Sequence, residues 1–212
     1  MSLQTQNTTT ATTLGNWDEA PHADEQSYRA GAYNLLANLL RATPEQPVLA
    51  QLAELAAVNT QQDELALAMS MLGLAAQGSS LEQLDDEYHA LFIGLGRGEL
   101  VPYGSWYLTG FLQEKPLALL RDDLALLGFE RREATHEPED HAAALCEVMA
   151  MLINDDTPQE TQERFFSLHL APWLGRFFSD LSQAKHAVFY RAVGRFGNAF
   201  IDLEQSYLAM KT

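Results

Sequence analysis

The sequence predicts an all-α fold, a multi-helix globular bundle, and three observations carry that expectation. Apolar residues recur at helical spacing from Asp24 onward. Strand signals are nearly absent, with no long alternating apolar run and no Asn-Gly hairpin turn. Gly, Pro and capping residues divide the apolar segments into about eight to ten helices. Hydrophobic residues make up 47% of the chain, enough for a packed core. Its 212 residues fit one domain, or two small subdomains sharing a core.

Residues 1–23 are rich in Thr, Gln, Asn and Ala without a helical period. They read as a flexible N-terminal tail ahead of a helical domain over 24–212. Tyr28, Ala32, Leu35, Leu36 and Leu39 form the apolar face of a first helix ending before Thr43-Pro44. Leu49, Leu52, Leu55 and Ala56 mark a second; Leu65, Ala68, Met69 and Leu72 mark a third, closed by Gly73 to Gly78. Ser80 with Gln83 is a capping box opening a fourth helix through Leu81, Leu84, Tyr88 and Leu91.

Gly94, Gly96, Gly98, Pro102 and Gly104 then interrupt the helical pattern, with Tyr103, Trp106, Tyr107 and Phe111 in or just after the break. Aromatics on a glycine-rich loop point to a recognition surface, or else to a cap over the core. The glycines lack nucleotide-binding spacing, and no strand precedes them. A helix over Lys115 to Leu127 stops at Gly128, where a left-handed cap is expected. A charged linker comes next, and Pro138 suits the first position of the helix after it. Glu137, Glu139 and Asp140 place negative charge at that helix mouth, and His141, Leu145, Val148 and Leu152 share one face. After the segments around Phe165 to His169 and Trp173 to Leu181, the last helix carries Phe189, Val193, Phe196, Phe200, Leu203 and Tyr207 as a core stripe.

The formal net charge of −16, from 29 acids against 13 Lys and Arg, disfavours nucleic acid and anionic membrane surfaces. It favours basic partners. A single cysteine, Cys146, rules out a disulfide framework and a Cys-based zinc site. It lies in an apolar helix without electropositive neighbours, unlike a nucleophile. No window holds a spanning apolar helix and the N-terminus lacks a secretory pattern, so a cytoplasmic protein without an integral membrane segment is expected. Acids, loop aromatics and a groove between helices together suit a basic, apolar peptide.

Four segments in order resemble the TorD/DmsD family of cytoplasmic chaperones that mature molybdenum-containing redox enzymes. They are Tyr88-His89-Ala90-Leu91-Phe92, Pro102-Tyr103-Gly104-Ser105-Trp106-Tyr107, Glu137-Pro138-Glu139-Asp140-His141, and Phe166 through His169-Leu170 to Trp173. The third is the family's most specific signature, Glu-Pro-x-Asp-His. The resemblance implies two helical parts joined at a hinge near residues 129–141. It implies a system-specific chaperone, not an enzyme, that binds the twin-arginine signal peptide or the apo form of a molybdopterin-dependent oxidoreductase before export. Carried over by position, Tyr103, Ser105, Asp140 and His141 form the peptide site, with Trp106, Tyr107 and Glu137 beside them. Molybdenum-cofactor biosynthesis proteins are further partners on this reading, and no cofactor is held by the chain itself. Both a monomer and a segment-exchanged homodimer fit a charged hinge. Tyr103 stands where some family members carry Trp, which bears on client preference. Guanine nucleotide binding, proposed within the family, meets no phosphate cradle in this sequence.

An enzymatic alternative is a small helical metal-dependent hydrolase using Asp140, His141 and His169, with His136, Glu137 or His186 as further ligands. A third is a scaffold subunit of a respiratory complex, which would co-purify at fixed stoichiometry.

Overall fold

The computed structural model describes residues 23–58, 63–94, 98–130 and 137–210, ten α-helices with no strand among them. The expected tail, apart from Ala23, and the linker residues 131–136 lie outside the described residues, as does Gly96. The helices are α1 (Ala23–Arg41), α2 (Gln46–Glu54), α3 (Glu64–Gln77), α4 (Leu81–Tyr88), α5 (Gly104–Thr109), α6 (Lys115–Leu126), α7 (Ala142–Asn154), α8 (Gln159–Phe165), α9 (Leu174–Gln183) and α10 (Phe189–Met210). The capping box at Ser80 and Gln83 forms. Gly128 adopts φ 81° past α6, and the amides of Gly128 and Phe129 close the helix on the carbonyls of Ala125 and Leu124.

Two helices form the centre. α7 packs along α1 and buries nine of its 13 residues, so it is enclosed on most sides and not along one stripe only. α10 lies against α9, α3 and α1, burying Phe189, Val193, Phe196, Phe200 and Tyr207. One expected member of that stripe, Leu203, is 49% exposed. Its neighbour Glu204 turns inward in its place, because Arg29 of α1 waits there with a matching charge.

Two further expectations change. Gly73 does not close α3 but lies inside it, where a Cβ would come within 2.1 Å of the Ala56 amide nitrogen. The glycine is what lets α3 approach the turn after α2. The helix expected to start at Pro138 starts instead at Ala142. Asp140 and Ala142 spend backbone groups on another segment: the Gly104 amide donates to the Asp140 carbonyl at 2.9 Å, and the Ala142 amide donates to the Pro102 carbonyl at 2.8 Å. This isolated antiparallel bridge pairs Tyr103 with His141 and joins the loop before α5 to the mouth of α7.

Two single π turns continue α4 and α8, at His89–Ile93 and Phe166–Leu170. Such a turn places one extra residue in the helix and rotates the side chains beyond it. In the second, Phe166 and Leu170 stay in the core, as does Phe165 just before it, while Leu168 faces solvent and His169 meets α6.

Candidate functional site

The backbone bridge between 102–104 and 140–142 sets up the site. Because the chains pair there, the first turn of α5 is delivered against Asp140. The Ser105 amide, one of the unpaired donors at the start of α5, donates to Asp140 Oδ2 at 2.7 Å. Asp140 is 3% exposed and Ser105 fully buried, yet Asp140 Oδ1 and Ser105 Oγ have no hydrogen-bond partner. A buried carboxylate oxygen left this way is costly unless a ligand donor satisfies it.

His141 is the N-cap of α7: its Nδ1 accepts from the Ala143 amide at 3.1 Å. The proton of the neutral ring therefore sits on Nε2, which faces Glu137 Oε1 at 3.6 Å. Burial pushes the His141 pKa below the usual histidine value; the Glu137 carboxylate opposes that and Arg41 adds to it. The Tyr103 ring meets the His141 ring edge-on at 5.0 Å, and its hydroxyl donates to Glu137 Oε1 at 3.1 Å. Burial first, then the Glu137 charge, raise the Tyr103 pKa well above that of a free phenol. Tyr103, Ser105, Glu137, Asp140 and His141 thus lie together.

Tyr107 does not join them. Its ring packs on Trp173 and Phe177, and its hydroxyl donates to Asp180 of α9 at 3.1 Å. Of the loop aromatics it is the one that covers the core, whereas Phe111 is 68% exposed. Trp106 is half-buried on the same short helix.

Asp140 also lines a cleft of about 390 Å³ whose walls come from α5, α6 and the second π turn. Gly104 makes room for it. A Cβ there would meet Trp173 Nε1 at 3.1 Å, so the glycine lets the indole lie against the first turn of α5. The indole N–H donates to the His169 carbonyl at 2.8 Å, which fixes the π turn. Leu108, Leu119 and Leu168 stand half-exposed around the opening, and Asp122 and Asp123 bring negative charge to the α6 side. Sequence reasoning missed the α6 wall, because its acids and leucines read as an ordinary amphipathic face. His169 is read from the sequence as a metal ligand and as part of a family-like segment, not as a wall of this cleft.

The residues of the hydrolase alternative are separately engaged. Asp140 Oδ2 holds the Ser105 amide, His141 Nδ1 holds the Ala143 amide, and His169 Nε2 contacts Asp123 Oδ2 at 2.8 Å. His186 pairs with Glu99 in the turn before α10, and His136 lies outside the described residues. Among the described residues no three His, Cys, Asp or Glu side chains converge as metal ligands. Cys146 is buried in α7, which pushes its thiol pKa far above the ordinary value. Among the described residues no helix is long and apolar enough to cross a membrane.

The described residues thus form an all-helical bundle with an acidic, leucine-walled cleft beside a buried, half-satisfied carboxylate. The chain matches the family described as nitrate reductase delta subunit over residues 37–179, well over half its length. It belongs to that family, which includes the TorD-type redox-enzyme maturation chaperones. A chaperone protein TorD of Vibrio cholerae is 29% identical over 171 residues, covering 76% of this chain and 77% of that one. The TorD of Aliivibrio salmonicida is 28% identical over 139 residues, covering 60% of this chain and 65% of that one. A crystal structure described as a redox enzyme maturation protein from Archaeoglobus fulgidus matches with a TM-score of 0.57 at 18% identity. That match covers 88% of this chain and 98% of the other, and it shows the shared helical fold.

Proposed function

We propose that this chaperone holds the precursor of a molybdenum-containing oxidoreductase in the cytoplasm, gripping its twin-arginine leader at the Asp140 cleft until cofactor is loaded. The observation that carries the reading is Asp140 Oδ1, a buried acceptor without a donor at the edge of an apolar-walled cleft. An arginine side chain suits both features, since its aliphatic stem can lie along leucines while the guanidinium donates to a carboxylate. The net charge of −16 would steer a basic leader toward the protein. Tyr103 and Glu137, outside the cleft lining and beside the buried His141, would serve the client as a rim, together with Trp106 on α5. The linker across residues 129–141 is where a hinge between the helical parts would move on client binding. The chain acts by holding and releasing its client, with no chemistry of its own, and cofactor-biosynthesis proteins meet it through the client.

Calorimetric titration with synthetic twin-arginine leaders of molybdoenzymes, each paired with an Arg-Arg to Gln-Gln control, tests the reading. Micromolar or tighter binding to one leader, lost in its control, is expected. Absence of heat with every leader, in protein shown by circular dichroism to be folded, would overturn it.

A further inference from the structure

The second acidic wall of the cleft differs from Asp140 in being already occupied. Asp123 of α6 faces two cationic or donor side chains: Arg164 Nη2 donates to Oδ1 at 3.0 Å and His169 Nε2 to Oδ2 at 2.8 Å. The two partners are held very differently. The His169 side chain is 8% exposed, packs on the Phe165 ring at 5.0 Å, and sits in the π turn pinned by Trp173. Arg164 is 64% exposed along its side chain and leans in from the end of α8, on the cleft rim. His169 is part of the scaffold; Arg164 is a solvated tether.

We propose that Arg164 is an internal competitor, a resident guanidinium on the carboxylate that would otherwise take the second arginine of a two-arginine peptide. This rests on the reading that the cleft accepts an arginine at Asp140. Asp140 and Asp123 line the same cleft, so with the first arginine on Asp140 Oδ1 its neighbour would turn to Asp123. There it contends with Arg164 for the same carboxylate. The exchange replaces one guanidinium by another, so the gain is the difference between two similar ion pairs and not a whole one. Asp123 stays compensated in both states, which spares the empty cleft the cost of a bare half-buried charge. A tethered group acts at an effective concentration in the millimolar range. Arg164 therefore reclaims Asp123 whenever the client's second arginine lets go. The device weakens the grip and hastens release, as a protein that must hand its client on requires.

The test uses the full chain and three versions of one leader, carrying Arg-Arg, Arg-Gln and Gln-Gln, titrated against the native protein and Arg164→Gln. In Arg164→Gln the Arg-Arg peptide should bind about two- to fivefold tighter, and dissociate correspondingly more slowly, as an exposed ion pair gained without an exchange implies. Removing a positive charge from an acidic surface tightens all basic peptides a little. The deciding quantity is therefore the ratio of Arg-Arg to Arg-Gln affinity, which must rise in the variant. Asp123→Asn should collapse that ratio toward one in both backgrounds. A ratio that is the same in native protein and Arg164→Gln, with the native protein still preferring Arg-Arg over Gln-Gln, would overturn the competitor while leaving the client reading intact. Binding of no peptide by either protein would overturn both. Arg164→Lys, which keeps the charge without the planar guanidinium, should fall between them.

Discussion

Glu204 and Asp140 are both carboxylates with almost no solvent exposure, and they are provided for in opposite ways. Glu204, on α10, accepts from Arg29 Nε at 2.6 Å, from Arg29 Nη2 at 2.9 Å and from the Tyr33 hydroxyl at 3.1 Å. The other face of the same guanidinium is used as well: Nη1 donates to Gln26 and Gln162, and the Tyr207 ring lies 4.4 Å away. Against the downward pull of burial, the Glu204 hydrogen bond and charge hold the Arg29 pKa above its ordinary value. Asp140 has one backbone amide on one oxygen and nothing on the other. The first cluster finishes the fold by tying α1, α8 and α10 together. The second leaves a donor-shaped gap beside a cleft. A buried polar group whose bonds are complete belongs to stability, and one whose bonds are incomplete calls for a further partner, which at Asp140 the proposed client supplies.

The strongest way to break this contrast is to unpair Glu204. Arg29→Met leaves a buried carboxylate without its cation and should cost about 3–5 kcal/mol, read as a lower urea midpoint. The double variant Arg29→Met with Glu204→Leu should regain most of the loss, since an apolar pair of similar volume serves as well there. A single variant as stable as the native protein would show that the network contributes nothing.

Asp140→Asn should behave in the reverse manner. The side chain keeps an oxygen for the Ser105 amide, so stability should change by less than about 1 kcal/mol. Affinity for an arginine-bearing leader should instead fall by about 1.5–3 kcal/mol, roughly ten- to a hundredfold, because a charge-assisted bond is lost. Loss of stability without loss of affinity would place Asp140 with Glu204, as a structural group.

How much of this contrast was legible in the sequence depended on the distance between partners along the chain. Helices whose faces repeat locally, such as α1 and α10, were readable, as were the cap at Gly128 and the capping box at Ser80, all set by residues within a turn or two. The start of α7 was misplaced because Pro138 is a good local signal, and the bridge that overrides it comes from residues 102–104, far off in the chain. Tyr103, Ser105, Glu137, Asp140 and His141 could be grouped only through motif resemblance, and the same resemblance carried Tyr107 along although its ring faces α9. The Arg29–Glu204 pair spans 175 positions. A signal for it did exist: Glu204 falls four after Phe200 and three before Tyr207, on the apolar face where a lone acid demands a partner.

A pH titration sharpens the comparison at His141, which belongs to the incomplete cluster yet has a structural duty. Its folded pKa lies below the unfolded one. As pH falls through the normal histidine range near about 6.5, the unfolded chain takes up the proton first, so stability declines on the acid side and is fully present above that range. Protonation also puts a hydrogen on Nδ1 and abolishes the acceptor that caps α7, a bond worth about 1 kcal/mol. His141→Asn keeps a capping acceptor without the titration and should flatten the stability profile between about pH 7 and 5. An unchanged slope in that variant would assign the pH dependence to other groups.

The smallest expected effect concerns Tyr103, and it bears on the rim. Tyr103→Phe removes only the hydroxyl that donates to Glu137, at a position open to water, so stability should fall by no more than about 0.5–1 kcal/mol. The ring stays against His141, and the cap on α7 is untouched. Glu137 Oε1, released from the phenol, then has one more acceptor position to offer beside His141. If the rim carboxylate meets the client, the variant should bind an arginine-bearing leader at least as tightly as the native protein, despite being the less stable of the two. Weaker binding by the variant would instead make the phenol hydroxyl a contact in its own right. The sign of that change therefore separates a rim that recognises through its charge from one that recognises through its aromatic hydroxyl.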